Sequence, residues 1–490
     1  MATKWKKLVE RQGDFWKNYM MIISLYNVKN IFGFTLQEHL TTRKNKNFTH
    51  WMSPNAVRQF SLQVEQKIQH NSHFIDKIYK LFLLSQKNLT TINYILGQTD
   101  LRRLSNKQLQ KLFQNFCKKY LTLYSPFHIG IYNTTIEEEI ESWLTDTLNK
   151  RNEKNKFDEY FIKLTTPERL SLLEQEKIDL LSIALQIKKT NNKEATLNQH
   201  ITKYAGLPVI HDDIKPWSRS YFTRRLNDFL KKDNEQLQNQ RNEILQIPLE
   251  VKENKKNLFL SLSIPTKIQQ FCSFIGQSTW IRLSGRQTFS LAHHASKPLF
   301  NEIGKRFNLT IEDVKWLNPE EILQLIENQT LPKTQKLKQR KKISALLFRN
   351  NQHYVFEGEK AKQIIKKELK GKDQQVDQEK SILNGKTAFP GLISGKAKIV
   401  LSQKEINKIK NGNILVTRMT TTDIVPAVHK AAAIITDEGG ITCHAAIIAR
   451  ELKIPCIVGT QFATRLIKDN DALSVDATNG IIKITKRNKE

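Results

Sequence analysis

Cysteine is scarce in this chain of 490 residues, which contains four: Cys117, Cys272, Cys443 and Cys456. No two of them have the Cys-x-x-Cys spacing, which argues against a zinc ribbon and against a disulfide framework. Long apolar runs are also lacking, since none approaches the roughly 18 to 20 residues that a membrane-spanning helix needs. The basic N-terminus is not followed by the apolar segment of a secretory signal. These absences predict a soluble protein of the reducing cytoplasm.

Acidic residues are few relative to basic ones. The chain has 78 Lys and Arg against 48 Asp and Glu, a formal net charge of +30. A charge of this size attracts nucleic acids and other polyanions. However, the basic residues are spread along the chain, and the densest run, 333–342, is predicted to be a solvated surface between helices. No RNP motif, zinc finger or homeodomain-like helix is present. The charge therefore indicates a chain-wide bias, and an RNA-associated scaffold is only an alternative.

Helix signals dominate residues 1–350. Apolar residues follow helical spacing from Leu109 to Tyr120, after a capping box that begins at Ser105. A Thr-Pro-Glu start signal at 166–168 predicts a helix that runs to about residue 188, and an Asn-Pro-Glu-Glu signal at 318–321 opens another. This region is predicted to be mainly α-helical.

Three segments are predicted along the chain, whose length suits two to four domains. Residues 1–350 form the helical region. Residues 351–384 are hydrophilic and are predicted to be a hinge or linker. Residues 385–490 are predicted to form a separate C-terminal domain that contains both strands and helices. The predicted fold class is multidomain α and α/β.

The most informative local pattern is a strand, a turn and a helix near the C-terminus. The apolar run 431–436 predicts a buried strand, which Gly439 and Gly440 interrupt. Thr442 is a good N-cap residue, and the alanine-rich run 445–452 has high helix propensity. The two acidic residues before the glycines are predicted to serve the turn, with Mg²⁺ binding as the alternative.

This pattern places His444 in the first turn of the helix. Unpaired N–H groups and the helix dipole favour an anion there. Imidazole, with an ordinary pKa of about 6.5, offers a neutral nucleophilic nitrogen at neutral pH. A phosphoryl group on that nitrogen remains reactive enough to be passed on. Thr442 lies two residues upstream, where its hydroxyl or backbone reaches a phosphate oxygen. The alternative is a histidine that only packs or caps.

Residues 436–459 resemble the phosphohistidine signature of the PEP-utilising enzymes, which include PEP synthase, pyruvate phosphate dikinase and rifampin phosphotransferase. The similarity extends over about 385–486, with further matching segments at 387–397 and 471–480. Ile441 departs from the pattern, because PEP synthase-like sequences often carry Arg there. The resemblance implies that 385–490 is a β/β/α swivelling (mobile) domain, that His444 is the catalytic residue, and that Thr442, Gly439 and Gly440 bind phosphate.

The resemblance also implies what the chain needs from elsewhere. Residues 282–347 are similar to a helical segment of rifampin phosphotransferase-like proteins, where such a domain holds the acceptor. No ATP-grasp lid is recognisable, and no PEP-binding barrel, which needs about 200 further residues. No intrinsic cofactor or metal site is predicted; ATP and Mg²⁺ are expected with an ATP-grasp partner in trans. The predicted function is a phosphotransferase component with an unknown small-molecule acceptor. A phosphocarrier or regulatory protein is the alternative.

Overall fold

A computed structural model gives the fold of this chain in two compact units, residues 1–368 and 369–490. The described residues are 3–44, 47–71, 73–190, 193–209, 215–332, 334–370, 381–401, 403–420, 424–439 and 443–488. The first unit is mainly helical and the second is built on a sheet, which confirms the predicted fold class of multidomain α and α/β. None of the described helices has the length and apolar character required to cross a membrane.

Fifteen α-helices are described in the first unit. They are α1 Phe15–Phe32, α2 Pro54–His70, α3 Phe74–Gln98, α4 Asn106–Ile129, α5 Thr134–Lys150, α6 Phe157–Thr165, α7 Leu172–Thr190, α8 Lys193–Tyr204, α9 Arg219–Leu230, α10 Asn234–Ser261, α11 Thr266–Arg306, α12 Ile311–Lys315, α13 Pro319–Asn328, α14 Thr334–Lys342 and α15 Gly358–Glu368. The longest, α11, packs against α3, α4 and α5.

Local capping chemistry fixes several of these helix starts. The predicted capping box of α4 is confirmed, because Ser105 and Gln108 each bond to the other's backbone N–H. The predicted start of α13 is confirmed in the same way by Asn318 and Glu321. Both caps consist of residues three apart in the sequence, so they can be predicted without a tertiary structure.

The predicted helix start at 166–168 is wrong. Thr166 follows the last turn of α6, and α7 begins at Leu172 after a cap formed by Ser171 and Glu174. Glu168 instead pairs with the buried Lys255 of α10 at 2.7 Å. Proline after Thr166 therefore ends one helix and does not start the next, since the residue before a proline is biased away from the helical conformation.

The first unit also contains a five-stranded antiparallel sheet that the sequence reading missed. Its strands are β1 Lys6–Gln12, β2 Glu38–Lys44, β3 Asn47–Met52, β4 Ile343–Arg349 and β5 Gln352–Glu357, in the order β1-β3-β2-β4-β5. Strands β4 and β5 are joined at Asn350 and Asn351, which both have positive φ (53° and 58°). Two such residues in a tight hairpin turn are a known hairpin signal.

The domain boundaries also differ from the prediction. The predicted hinge 351–384 includes β5 and α15, which belong to the first unit. Glu368, at the end of α15, accepts hydrogen bonds from Arg349 of β4 and from Trp5. Residues 371–380 of the predicted hinge lie outside the described residues. Strand pairing and these long-range bonds hold a hydrophilic segment in place.

The basic run 333–342 is not simply a solvated surface, as was predicted. It contains α14, and the Arg340 side chain of this helix is 1% exposed. Its guanidinium bonds to Glu321 and Glu357 at 2.6–2.8 Å. The densest basic stretch therefore contributes a buried ion pair to the first unit.

The second unit is built on an eight-stranded sheet. Its strands are β6 Ile382–Asn384, β7 Lys386–Phe389, β8 Leu392–Ile399, β9 Asn413–Thr417, β10 Ala431–Thr436, β11 Cys456–Val458, β12 Ala472–Asp476 and β13 Ile481–Lys486, in the order β6-β13-β12-β8-β9-β10-β11-β7. Strands β8 to β11 are parallel neighbours, and the remaining pairs are antiparallel. The predicted strand 431–436 is confirmed as β10.

Two apolar cores lie on the two faces of this sheet. One is formed by inward residues of β9, β10, β12 and β13, such as Val416, Ile435 and Val475. The other lies beneath the short helix α16 Val425–Val428 and α17 His444–Leu452, with Leu415 and Ile434 at its centre. The alternation of neighbouring residues between the two cores, such as Ile434 and Ile435, follows the two-residue period of a strand. A further short helix, α18 Ala463–Leu466, follows β11.

Candidate phosphohistidine site

Strand β10 ends at Thr436 and helix α17 begins at His444, so the predicted strand and helix are both present on either side of the glycine pair. Gly439 has φ +114°, a conformation that residues with a side chain rarely adopt. His444 is the first residue of α17. The predicted phosphate-binding residues Gly440 and Thr442 lie outside the described residues, and so does the side chain of His444. Their predicted roles therefore remain predictions.

The N-cap of α17 is Cys443 and not Thr442, so the helix starts one residue later than predicted. Cys443 has an extended backbone (φ −76°, ψ 165°), and its thiol lies near the backbone N–H groups of Ala445 and Ala446 without a capping hydrogen bond of normal geometry. A thiol is a weak acceptor, so it satisfies these N–H groups poorly. The first N–H groups of a helix have no partner within the helix, and such a terminus favours an anion. Burial raises the pKa of the Cys443 thiol, so this side chain is not an activated thiolate beside His444.

Asp437 anchors the turn that precedes Gly439. Its carboxylate is buried and accepts hydrogen bonds from both the backbone N–H and the hydroxyl of Thr464 in α18, and from the hydroxyl of Thr460 at 3.4 Å. Its backbone N–H donates to Thr417 at the end of β9, and its carbonyl accepts from Gln461. Both carboxylate oxygens of Asp437 are engaged in this way in holding the turn.

The loops that follow the three parallel strands β9, β10 and β11 are bound to one another. The backbone N–H of Glu438 donates to the carbonyl of Arg418 at 2.8 Å, and the hydroxyl of Thr436 donates to the carbonyl of Glu438. A Cβ atom added to Gly459 would lie 2.9 Å from the carbonyl oxygen of Gly439. The backbone of residues 436–439 is therefore held on both sides.

Sequence reasoning missed this bracing. The partners of Asp437 lie 23 and 27 residues away, at Thr460 and Thr464. The sequence gives no spacing rule for such contacts, although Asp is a residue type that accepts backbone N–H groups at turns and helix starts. Among the residues that the structure describes, no group of three or more His, Cys, Asp or Glu side chains could hold a metal ion.

Residues 409–480 match the model of the PEP-utilising enzyme mobile domain. Among curated proteins, the chain is similar to one named "Probable phosphoenolpyruvate synthase" from Archaeoglobus fulgidus, with 52% identity over 121 residues. A protein of the same name from Methanothermobacter thermautotrophicus is 50% identical over 110 residues, and the phosphoenolpyruvate synthase of Pyrococcus furiosus is 49% identical over 109 residues.

These similarities are confined to one part of each protein. They cover 22–24% of this chain and 13–16% of the relatives, so the chain spans less than a fifth of the length of the relatives it matches. Among solved structures, the chain of Thermococcus kodakaraensis aconitase X in its holo-form matches over 22% of this chain and all of its own length, at 21% identity and a TM-score of 0.18. The C-terminal unit of the protein therefore contains the mobile domain of the PEP-utilising enzymes.

Proposed function

We propose that this protein is a phosphotransferase component in which His444 is transiently phosphorylated and passes the phosphoryl group to an acceptor. The observation that carries the proposal is the coincidence of two features at one place. The matched domain, 409–480, contains a histidine at the first position of α17, and the N-cap residue of that helix, Cys443, offers only a weakly accepting thiol to the first N–H groups. An imidazole there has an anion-binding helix terminus beside it. The similarity to phosphoenolpyruvate synthases supports phosphohistidine chemistry at this position.

The chemistry divides one transfer into two displacements. A ring nitrogen of His444 attacks phosphorus, a phosphorus–nitrogen bond forms, and the bond to the donor oxygen breaks with its electron pair on the leaving group. An acceptor oxygen then attacks the same phosphorus, the phosphorus–nitrogen bond breaks, and the acceptor gives up its proton. In this proposal Gly439, Gly440 and Thr442 hold the phosphate oxygens, through backbone N–H groups and the threonine hydroxyl.

An ATP-grasp protein acting in trans is the proposed phosphoryl donor. Residues 1–490 contain no recognisable ATP-grasp lid sequence. Asp437, the buried acidic residue nearest to the glycines, has its carboxylate occupied by Thr460 and Thr464. In this proposal Mg²⁺ therefore comes with the nucleotide on the partner, where it neutralises the phosphates during transfer.

The mainly helical first unit is the proposed location of the acceptor site. The acceptor is proposed to be a small molecule, in keeping with the similarity of 282–347 to helical acceptor-binding segments. A swivelling domain delivers its phosphoryl group by movement between two sites, which requires a tether to the rest of the chain. If His444 is phosphorylated but no small molecule takes the label, the protein is a phosphocarrier or a regulatory protein instead.

The test is incubation of the full chain with Mg²⁺ and ATP labelled at the β- or the γ-phosphate, or with labelled PEP, each with and without a candidate ATP-grasp protein. We expect an acid-labile, base-stable label that His444→Ala abolishes. His429→Ala is the matched control, because His429 is an exposed histidine of the same unit and should leave labelling unchanged. A label of equal amount in His444→Ala contradicts the proposal.

The same material separates the other functions. Transfer of label from the phosphorylated chain to a small molecule in a metabolite extract supports the phosphotransferase, and a stable phosphoprotein supports the carrier. An RNA mobility shift that falls with salt and persists in His444→Ala, in a chain that takes no label, supports the RNA-associated scaffold.

A further inference from the structure

Arg43 of β2 carries a guanidinium that is enclosed by the first unit but has no counter-charge. The residue is 9% exposed, and its Nε and Nη1 atoms are buried without a hydrogen-bond partner. Within the described part of the chain, no carboxylate forms an ion pair with it. Burial lowers the pKa of Arg43, and no neighbouring charge offsets this effect. Arginine is seldom buried in this way unless it is paired.

Aromatic rings form the wall of this position. The guanidinium carbon of Arg43 lies 4.4 Å from the ring centroid of Trp316, within the range of a cation–π contact, and 6.0 Å from that of Phe48. Trp316 stacks in turn on Phe15, with centroids 6.3 Å apart. These contacts orient the guanidinium plane, but they satisfy none of its N–H groups.

A second arginine in the same stack shows what is missing. Arg340 lies over the other aromatic neighbour, Phe15, at 4.3 Å. It is also buried, but its nitrogens bond to the carboxylates of Glu321 and Glu357. The two arginines therefore occupy similar aromatic surroundings. One is neutralised by carboxylates of the chain and the other, Arg43, is not.

The hydroxyl of Ser344 lies beside Arg43 and also lacks a partner. Ser344 of β4 is directly opposite Arg43 in the antiparallel register, so the two side chains project from the same face of the sheet. Ser344 is 1% exposed, and its Oγ atom is buried without a hydrogen bond. Buried polar groups are normally hydrogen-bonded, so two unpaired groups at paired positions of neighbouring strands call for a partner that is not part of the chain.

We propose that Arg43 and Ser344 form a binding site for the oxyanion group of a small ligand, a phosphate or a carboxylate, with Trp316 as its wall. An oxyanion supplies both the missing negative charge and the missing hydrogen-bond acceptors, and charge-assisted bonds to arginine are the strong ones. Of the three guanidinium nitrogens of Arg43, Nε and Nη1 are the buried ones without a partner, and Nη2 is not among them. A ligand would therefore approach from solvent on the Nη2 side. The site lies in the first unit and does not depend on His444.

The test is the melting temperature of the full chain, followed as inorganic phosphate or acetate is titrated at constant ionic strength with chloride. We expect a saturable rise for at least one of the two anions, and the anion that acts identifies the ligand class. The rise should disappear in Arg43→Met. It should persist in Arg103→Met, which removes an arginine whose side chain is 87% exposed.

Two milder variants keep the test valid if Arg43→Met does not fold. Ser344→Ala removes one hydroxyl, and Arg43→Lys keeps the charge but not the planar guanidinium. Each variant should raise the dissociation constant for the anion by about 3- to 10-fold. Unchanged affinity in both variants overturns the proposal. The proposal is also overturned if neither anion gives a saturable rise in melting temperature. A third contrary result is an Arg43→Met variant that melts at a lower temperature without ligand but keeps the full anion-induced rise, because Arg43 is then structural.

Discussion

The carboxylate of Asp437 receives the backbone N–H of Thr464 at 2.9 Å, and the hydroxyl of the same threonine donates to it as well. This pair fastens the turn before Gly439 to the start of α18. In the sequence, this turn precedes by a few residues the helix that begins at His444. If His444 carries a phosphoryl group as proposed, Asp437 positions the site without contacting that group.

Replacement of Asp437 by Ala should destabilise the second unit and slow the phosphorylation of His444. Hydrogen bonds to a buried carboxylate contribute about 1.5–3 kcal/mol, so we expect a loss of about 2–3 kcal/mol in the free energy of unfolding. Thr464→Val removes the hydroxyl but keeps the backbone N–H, and should cost about 1 kcal/mol. Urea denaturation measures both losses, and the initial rate of labelling reports on the site. If Asp437→Ala labels at the wild-type rate, the turn does not position His444.

Gly439 should not tolerate a side chain. Its φ of +114° is unfavourable for alanine, and an added Cβ would lie 2.7 Å from the Sγ atom of Cys443. We expect Gly439→Ala to cost about 2–3 kcal/mol and to slow labelling. Gly412→Ala is the matched control, because its φ is +87° but nothing lies within 4 Å of an added Cβ. It should cost about 1 kcal/mol and label normally. Equal losses in the two variants would show that the contact with Cys443 is unimportant.

Removal of Arg340 should strongly destabilise the first unit. Its guanidinium is buried and bonded to both Glu321 and Glu357, so Arg340→Met leaves two carboxylates without their partner. Breaking one side of a buried ion pair costs about 3–5 kcal/mol. Lys336→Met serves as the comparison, since this lysine is half-exposed and lies 3.7 Å from Glu321; the expected loss is below about 1 kcal/mol. Chemical denaturation that gives similar losses for both would contradict the structural role of Arg340.

The stability of the first unit should fall in mild acid because of His128. This residue is fully buried; its Nε2 bonds to Ser24, its Nδ1 has no hydrogen-bond partner, and burial lowers its pKa to about 4. The unfolded state, with an ordinary pKa of about 6.5, therefore binds more protons between pH 6.5 and pH 4. The contribution of the neutral His128 to stability is therefore complete above pH 6.5 and is lost as the pH drops. At pH 4 the free energy of unfolding should be lower by about 3 kcal/mol.

His128→Gln isolates this contribution from the titration of carboxylates. The difference in free energy of unfolding between wild type and variant should shift by about 3 kcal/mol, against the wild type, between pH 7 and pH 4. A pH-independent difference for His128→Gln would show that the pKa of this histidine is the same in the folded and the unfolded state.

Local signals predicted individual elements well in both units. The strand 431–436, the capping box of Ser105 and Gln108, and the start of α13 are all confirmed. Each depends on residues within a few positions of one another, so the local sequence contains the whole interaction. The start of α17 was predicted one residue early, which is within the usual uncertainty of a helix end.

The five-stranded sheet could not be predicted in the same way. Strand β2, Glu38–Lys44, is rich in polar residues, and His39, Thr41 and Arg43 in it are buried. It pairs with β4, whose residues lie about 300 positions further along the chain. The burial of β2 is caused by the elements that pack on it and not by apolar residues of its own. Its sequence therefore lacks the alternation of apolar and polar residues that predicts a strand. A local signal in this sheet is the Asn-Asn pair at 350 and 351, which is typical of a hairpin turn.

By itself, the sequence determined the fold class, the strand and helix on either side of the glycine turn, and the position of His444 at the helix start. These follow from residue propensities, two- and 3.6-residue periods, and a motif that is contiguous in the chain. Only the tertiary structure decided which charges are buried and with what partner. It joined Asp437 to α18, gave Arg340 two carboxylates, and left Arg43 with none. The reason is physical: the cost of burying a polar group depends on atoms brought together from distant parts of the chain, and no local pattern records them.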